Sequence, residues 1–307
     1  MGIVTSQQLT KYYDQYREDE ITYTKDIIRT LKLDPKQVFV KCNDNQWSCI
    51  LNSASYQLAR VIVGTKSEAF MALTEKDEAG NLPSVNLRLS FFQDGGQQIS
   101  FYIAAKMTKI SPYMNSKDLA VATLSFTQRP PDDFIEITGK LLEANANAVR
   151  RSDERITIND DSKRKLSLKK AECVMVVQSV PRHCILRDIS FSGARVILVG
   201  LSKFLNQKEA VLQLEFDEPE ETVSIRGMIV SADLIEGRKD LCSASIKFDE
   251  NIIPLSYKLH VNNFLTTVRK TQLSASDQIE QQRAQQRAAE LENERNAIRQ
   301  GIDPSVR

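Results

Sequence analysis

The sequence predicts a mainly β protein: two small β-barrel domains joined by a helix and linker, with flanking N- and C-terminal helices. Three observations predict it. Short apolar or alternating runs recur between turn residues from Gln37 to Phe126, and again from Ile156 to Phe248. Each set supplies six or seven strands in roughly a hundred residues, the content of a small barrel or sandwich. Between them Pro130-Pro131 ends the strand texture and a helical pattern begins. The boundaries implied are 1–34 for an N-terminal helix, 35–130 for a first β-barrel, and 131–150 for the connecting helix and linker. A second barrel with its own C-terminal helix then takes 151–270, and 271–307 forms a polar tail.

Residues 6–31 read as one helix, because Leu9, Tyr13, Tyr16, Ile27, Ile28 and Leu31 recur at three- and four-residue steps. Tyr12, Tyr13 and Tyr16 are expected to cover a neighbouring domain. Strands follow at Val38–Cys42, at Trp47–Ile50 beyond the Asn43-Asp44-Asn45 turn, and at Tyr56–Gly64. A short helix is expected over Glu68–Leu73. Val85 to Phe91 alternates as a half-buried strand does, Asp94-Gly95-Gly96 turns the chain into Ile99–Ile103, and Leu119–Phe126 completes the set.

Asp132 is the expected cap of the connecting helix, whose apolar face is Phe134, Ile137, Leu141 and Ala148. In the second half, Lys163-Arg164-Lys165 and Lys169-Lys170 flank Leu166-Ser167-Leu168. That alternation reads as a strand carrying solvated lysines, and no aromatic is interleaved to stack on nucleic acid. Strands are expected at Cys173–Val177, Cys184–Leu186, Ala194–Val199, Val211–Phe216, Val223–Ser231 and Cys242–Phe248. Leu255–Val268 reads as a helix, with Leu259, Val261, Phe264, Leu265 and Val268 apolar. From Ser274 the Gln-, Glu-, Arg- and Ala-rich chain favours solvated helix.

Composition narrows the function. With 41% hydrophobic and 26% charged residues and a formal net charge of +1, the 307-residue chain has no general attraction to nucleic acid or acidic membrane. No apolar run approaches the roughly eighteen residues of a membrane helix, and a cytoplasmic protein is expected. The five cysteines, an odd number set in strand-like segments, read as buried apolar residues rather than a disulfide set or a metal site. His183 reads as surface, and His260 as the boundary of its helix. There is no phosphate-cradling Gly-rich loop and no nucleophile elbow, so an enzyme is not expected.

The chemistry-bearing stretch runs from Arg150 to Gly193. It opens Arg150-Arg151-Ser152-Asp153-Glu154-Arg155, a basic cluster at the helix exit with Arg151 and Arg155 four apart. It ends Asp188-Ile189-Ser190-Phe191-Ser192-Gly193, an Asp-x-Ser-x-x-Gly turn between strands. In this order and spacing, ahead of a β-rich segment, the two resemble the RxxxR and D/NxSxxG signatures of the PilZ domain, a bacterial receptor for cyclic di-GMP. The layout of a β-domain, a Pro-started helix and then RxxxR is similar to that of two-domain PilZ proteins of the flagellar-brake type, over about residues 37–268.

The resemblance implies cyclic di-GMP as ligand, with no other cofactor. Its two phosphates and two guanines suit arginine, whose planar fork pairs with phosphate oxygens, stacks on bases and reads the guanine O6/N7 edge. Asp188 can accept from guanine N1–H or N2–H, and the Ser190 hydroxyl can donate or accept. Gly193 lacks a Cβ where the backbone turns tightly or nears a ligand. The implied site is therefore Arg151, Arg155, Asp188, Ser190 and Gly193, with Arg150 and Ala194 at its margin. Arg150 bears on whether one or two ligand molecules bind. Asp153 and Glu154 can pair with the arginines in the free protein. Ligand is expected to fix a linker that is otherwise free to move, and so to reorient the two domains. The new surface would meet a protein partner in the flagellar motor or a related export or pilus system. The alternative is a PilZ-fold scaffold that binds no nucleotide.

Overall fold

Hydroxyl side chains decide where the first helices begin. In this computed structural model, which describes residues 4–272 (Asp94 and Leu201 apart) together with Gln286 and Arg287, Thr5 accepts the Gln8 N–H and opens α1 (Ser6–Gln15). Thr24 does the same for α2 (Lys25–Thr30) through Ile27 N–H, and Ser67 for α3 (Glu68–Thr74) through Phe70 N–H. The helix expected over 6–31 is thus two helices, separated by strand β1 (Ile21–Thr22). The reason is local and tertiary at once. Ile21-Thr22-Tyr23-Thr24 is a β-branched and aromatic run, and it finds a partner strand: Ile21 lies opposite Ala54, and Tyr23 N–H donates to Asn52 O at 2.8 Å.

Seven more strands complete the first half: β2 (Phe39–Cys42), β3 (Asn45–Ser48), β4 (Ile50–Ala54), β5 (Leu58–Gly64), β6 (Ser84–Phe92), β7 (Gln98–Pro112) and β8 (Leu119–Phe126). They form one antiparallel sheet in the order β1-β4-β5-β8-β7-β6-β2-β3. The alternation that predicted β6 sets its burial, with Val85, Leu87, Leu89 and Phe91 all in the core. Against this core packs α4 (Asp132–Arg150), through Phe134, Ile135 and Leu141. Its cap position is Pro131 and not Asp132. Asp132 and Asp133 sit in the first turn, where the helix dipole favours negative charge.

Tyr12 of α1 and the C-cap residue Tyr16 are buried, and the Tyr12 hydroxyl donates to Glu143 of α4 at 2.9 Å. The helices approach this closely because position 139 is glycine; a Cβ there would overlap the Tyr12 ring. Alanine gains about 1 kcal/mol of helix propensity, but overpacking costs about 1–3 kcal/mol. Gly139→Ala is therefore expected to lower stability by about 1 kcal/mol in urea unfolding. In a Tyr12→Ala background the sign should reverse, since the obstructing ring is gone.

The second half departs from expectation at its start. The lysine-rich segment read as a strand is a helix, α5 (Asp160–Leu166), placed after the two-residue β9 (Ile156–Thr157). Asn159 and Ser162 form a reciprocal capping box, and Ser167 ends the helix in the left-handed conformation. Asp160 and Asp161 occupy its first turn and Lys163, Arg164 and Lys165 its last, which complements the dipole. The basic residues are consequently ion-paired within their own helix, Lys163 to Asp160 and Lys165 to Asp161, each at 2.8 Å.

Beyond it run β10 (Glu172–Val177), β11 (Val180–Ile189), β12 (Gly193–Val199), β13 (Glu209–Asp217), β14 (Glu220–Ile235) and β15 (Arg238–Phe248). The order β10-β13-β14-β15-β12-β11 returns to β10 through a β10–β11 pairing, so six strands close into a barrel, with β9 added beside β11. Met175, Leu212, Leu214, Ile225, Val196 and Ala244 are among the buried residues that fill it. The mainly β fold class therefore holds as a closed six-stranded barrel plus a large sheet, with helices toward both ends.

Residues 255–262 are helical and lie on the barrel. Tyr257 packs edge-on against Phe248, and the His260 ring stacks on Phe216 with centroids 3.8 Å apart. His260, expected at a helix boundary, is buried to 5% exposure, and its Nε2 meets Glu221 Oε1 at 3.1 Å. Asn262 joins Asn147 of α4 at 2.7 Å. Residues 263–307 form a separate unit, in which 263–272 are helical. Apart from 271–272 and 286–287, the polar tail proposed for 271–307 lies outside the described residues.

Candidate functional site

The end of α4 hands the chain directly to the barrel. Arg150 is its last helical residue and Arg151 its C-cap, with Arg151 N–H donating to Asn147 O at 2.9 Å. Glu154 N–H then donates to Arg151 O at 3.1 Å, which bends residues 151–154 into a turn. Ile156 and Thr157 pair with Ile189 and Asp188, so β9 sets Arg155 beside the end of β11. Two stretches about thirty residues apart thereby become neighbours.

The arginines are held by carboxylates. Arg155 Nη1 contacts Asp188 Oδ1 directly. Arg151 Nη1 stands 3.8 Å from Glu154 Oε2, the pairing the sequence allowed. Both carboxylate partners leave the cations partly solvated: the side chains of Arg151 and Arg155 are 20% and 43% exposed, against 16% for Asp188. Partly exposed pairs of this kind contribute about 1 kcal/mol or less, so an incoming phosphate displaces them at small cost.

Ser190 and Gly193 build the turn. Ser190 N–H donates to Gly193 O at 2.8 Å, and Gly193 N–H donates back to the Ser190 hydroxyl at 3.1 Å. Ser190 is fully buried, and its carbonyl accepts the Tyr257 hydroxyl at 2.6 Å. Burial pushes that phenol above its ordinary range, which keeps it protonated as a donor. Ser190 thus has its hydroxyl committed to the backbone of its own turn. Gly193 answers a close approach, but to β15: a Cβ would run into the Ile246 carbonyl oxygen. Ala194 is buried opposite Ile246 and Ile189, so its side chain faces the barrel. Arg150 is exposed, one residue ahead of the turn.

The linker between the helix and the barrel carries hydrogen bonds to the turn. Ser192 N–H donates to Ser152 O at 3.0 Å, and the Ser192 hydroxyl to Asp153 Oδ1 at 2.8 Å. The arginine loop and the Asp-Ser-Gly turn are therefore one hydrogen-bonded unit in this structure.

Two residues here escaped sequence reasoning. Arg195 lies opposite Asp188 in the β11–β12 register, with Nε 3.7 Å from Asp188 Oδ2 and half its side chain exposed. The signal was available, since a hairpin places the second residue beyond the glycine across from the aspartate. Tyr257 had no such signal, because only the docking of its helix brings it to the turn. Among the described residues, no group of three or more His, Cys, Asp or Glu is placed to hold a metal, and no helix is long and apolar enough to cross a membrane.

Comparison with known proteins adds independent information. Residues 7–145 match the PilZN3 domain. A protein of Treponema denticola named cyclic di-GMP binding protein is 42% identical over 272 residues, covering 88% of this chain and 85% of its own length. Among solved structures, the Borreliella burgdorferi PlzA protein in complex with c-di-GMP is 22% identical with a TM-score of 0.37, over 84% of this chain and 98% of that one. Escherichia coli YcgR in complex with c-di-GMP is 12% identical with a TM-score of 0.27, over 87% and 99%. Superpositions that loose contribute nothing to the assignment. It rests on the PilZN3 match and on identity running through both β segments, and on these the chain belongs to the PilZ family, in its class with an N-terminal PilZN3 domain.

Proposed function

We propose that this protein is a receptor for cyclic di-GMP, and that the arginine loop and the Asp-Ser-Gly turn together form its binding face. The observation that carries the reading is the meeting of Arg155, Asp188 and Arg195 beside a turn to which the loop carrying Arg151 is already hydrogen-bonded. Phosphate oxygens would replace Glu154 on Arg151 and Asp188 on Arg155, and the guanidinium planes would cover a base. Asp188, released from Arg155, would accept from the guanine N1–H/N2–H edge. Ser190 and Gly193 act beneath this face by fixing the turn, and Ala194 by filling the barrel behind it.

The output we assign is regulatory. Arg151 caps α4, and α4 packs on the N-terminal sheet. A ligand that repositions Arg151 therefore acts on the joint between the two β units, shifting their orientation as far as it prefers one arrangement. The partner of that surface would be a protein of the motility or surface-attachment machinery, inside the cell. Neither nucleic acid nor membrane insertion enters the reading.

Calorimetric titration of cyclic di-GMP into the wild type, with small-angle scattering of the free and saturated protein, tests both levels. The expected result is saturable heat with a changed scattering profile. Two ligands per chain falling to one in Arg150→Ala would assign Arg150 to a stacked pair. An absence of heat from folded protein would overturn the receptor reading and leave a scaffold. Heat with identical profiles would overturn only the reorientation.

A further inference from the structure

All five cysteines are free and buried. Cys49 and Cys242 donate to backbone carbonyls, at 3.9 Å to Val38 O and 3.7 Å to Leu198 O. Cys184 likewise meets the Cys173 carbonyl at 3.5 Å, but this pair also brings two sulfurs together. Cys173 and Cys184 stand directly opposite each other on β10 and β11, and their sulfurs are 3.3 Å apart. Leu186 N–H donates to Ala171 O at 2.8 Å, and the two-residue alternation of an antiparallel ladder makes 173/184 a hydrogen-bonded pair as well. Such pairs have Cα atoms about 5.5 Å apart, within the span a disulfide bridges. The pair lies one step inside the start of β10 at Glu172, on the pairing that closes the barrel.

We propose that Cys173 and Cys184 form a reversible disulfide across the closing seam of the barrel, with a hydroperoxide as oxidant. The 3.3 Å contact lets the thiol of one cysteine stabilise the thiolate of the other. That thiolate attacks a peroxide oxygen, the O–O bond breaks and hydroxide departs, leaving a sulfenic acid. The sulfur of the second cysteine then forms the S–S bond and expels the sulfenic oxygen as water. Two thiols lose two protons and two electrons, and one hydrogen peroxide becomes two waters. A dithiol reverses the step by exchange. The four-residue step from Cys184 to Asp188 carries the staple up to the bulge between Leu186 and Asp188. The inference does not depend on which ligand the protein binds.

The test uses the full-length protein treated in its native state with hydrogen peroxide, then denatured for thiol counting and peptide mapping without reductant. The expected count falls from five to three, with a single intramolecular peptide pair joining Cys173 and Cys184, and dithiothreitol restores it. In one of Cys173→Ser and Cys184→Ser a cyclic 1,3-diketone should label the remaining cysteine of the pair as sulfenic acid, whereas the wild type should not be labelled. Five thiols surviving peroxide, a different pairing, or an intermolecular bridge would each overturn the proposal. The wild-type map decides the matter even where a serine variant folds poorly.

Discussion

Arg151→Ala/Arg155→Ala is expected to weaken cyclic di-GMP binding by about 10²–10⁴-fold while leaving the protein folded. Each hydrogen bond from a charged donor contributes about 1.5–3 kcal/mol, so two arginines account for about 3–6 kcal/mol, which converts to that range. Little is returned from the free state, because the pairs given up to Glu154 and Asp188 are partly exposed and worth about 0–1 kcal/mol each. Stability should change by no more than about 1 kcal/mol per site, the most that such pairs contribute. Calorimetry beside a urea melt reads both quantities. Arg155→Lys should fall between wild type and alanine, since it keeps the charge and loses the fork. A folded double variant that binds as tightly as the wild type would remove these arginines from the site.

Gly193→Ala is expected to cost about 3 kcal/mol of stability, at the upper end of what overpacking does. What obstructs the added methyl is a backbone carbonyl, that of Ile246 on β15, in a ladder that pairs Gly193 with Lys247 and Ala194 with Ile246. A flexible side chain could swing away; this oxygen cannot move without opening the β12–β15 seam. The same shift would displace the Gly193 N–H from the Ser190 hydroxyl, and with it the neighbouring Asp188. The denaturation midpoint should therefore drop, and ligand affinity should fall further than the stability loss explains. A melt within about 0.5 kcal/mol of wild type would show that β15 yields and that the glycine has another purpose.

Much of the fold was legible in sequence because its signals are local. Alternation marked the β6 strand over Val85–Phe91, the paired prolines marked the start of α4, and the spacing of Arg151, Arg155, Asp188, Ser190 and Gly193 pointed to the PilZ family. Two errors were also local and avoidable. The Asn159-x-x-Ser162 cap with acidic residues ahead of basic ones marks a helix at 160–166, yet the Leu166-Ser167-Leu168 alternation outweighed it. Thr24 was a visible cap inside what read as one long helix.

Sequence by itself determined which residues carry charge, which runs alternate and which turns are chemically favoured, since each depends on neighbours a few positions away. Only the tertiary structure decided that six strands close into a ring through β10 and β11. It also decided that Gly193 is spared a clash with β15, that Tyr257 props the Ser190 turn and that His260 is buried on Phe216. Those facts depend on strand register and on the docking of distant elements. Register is chosen by the fit of a whole buried face at once, so no short stretch of the chain contains it.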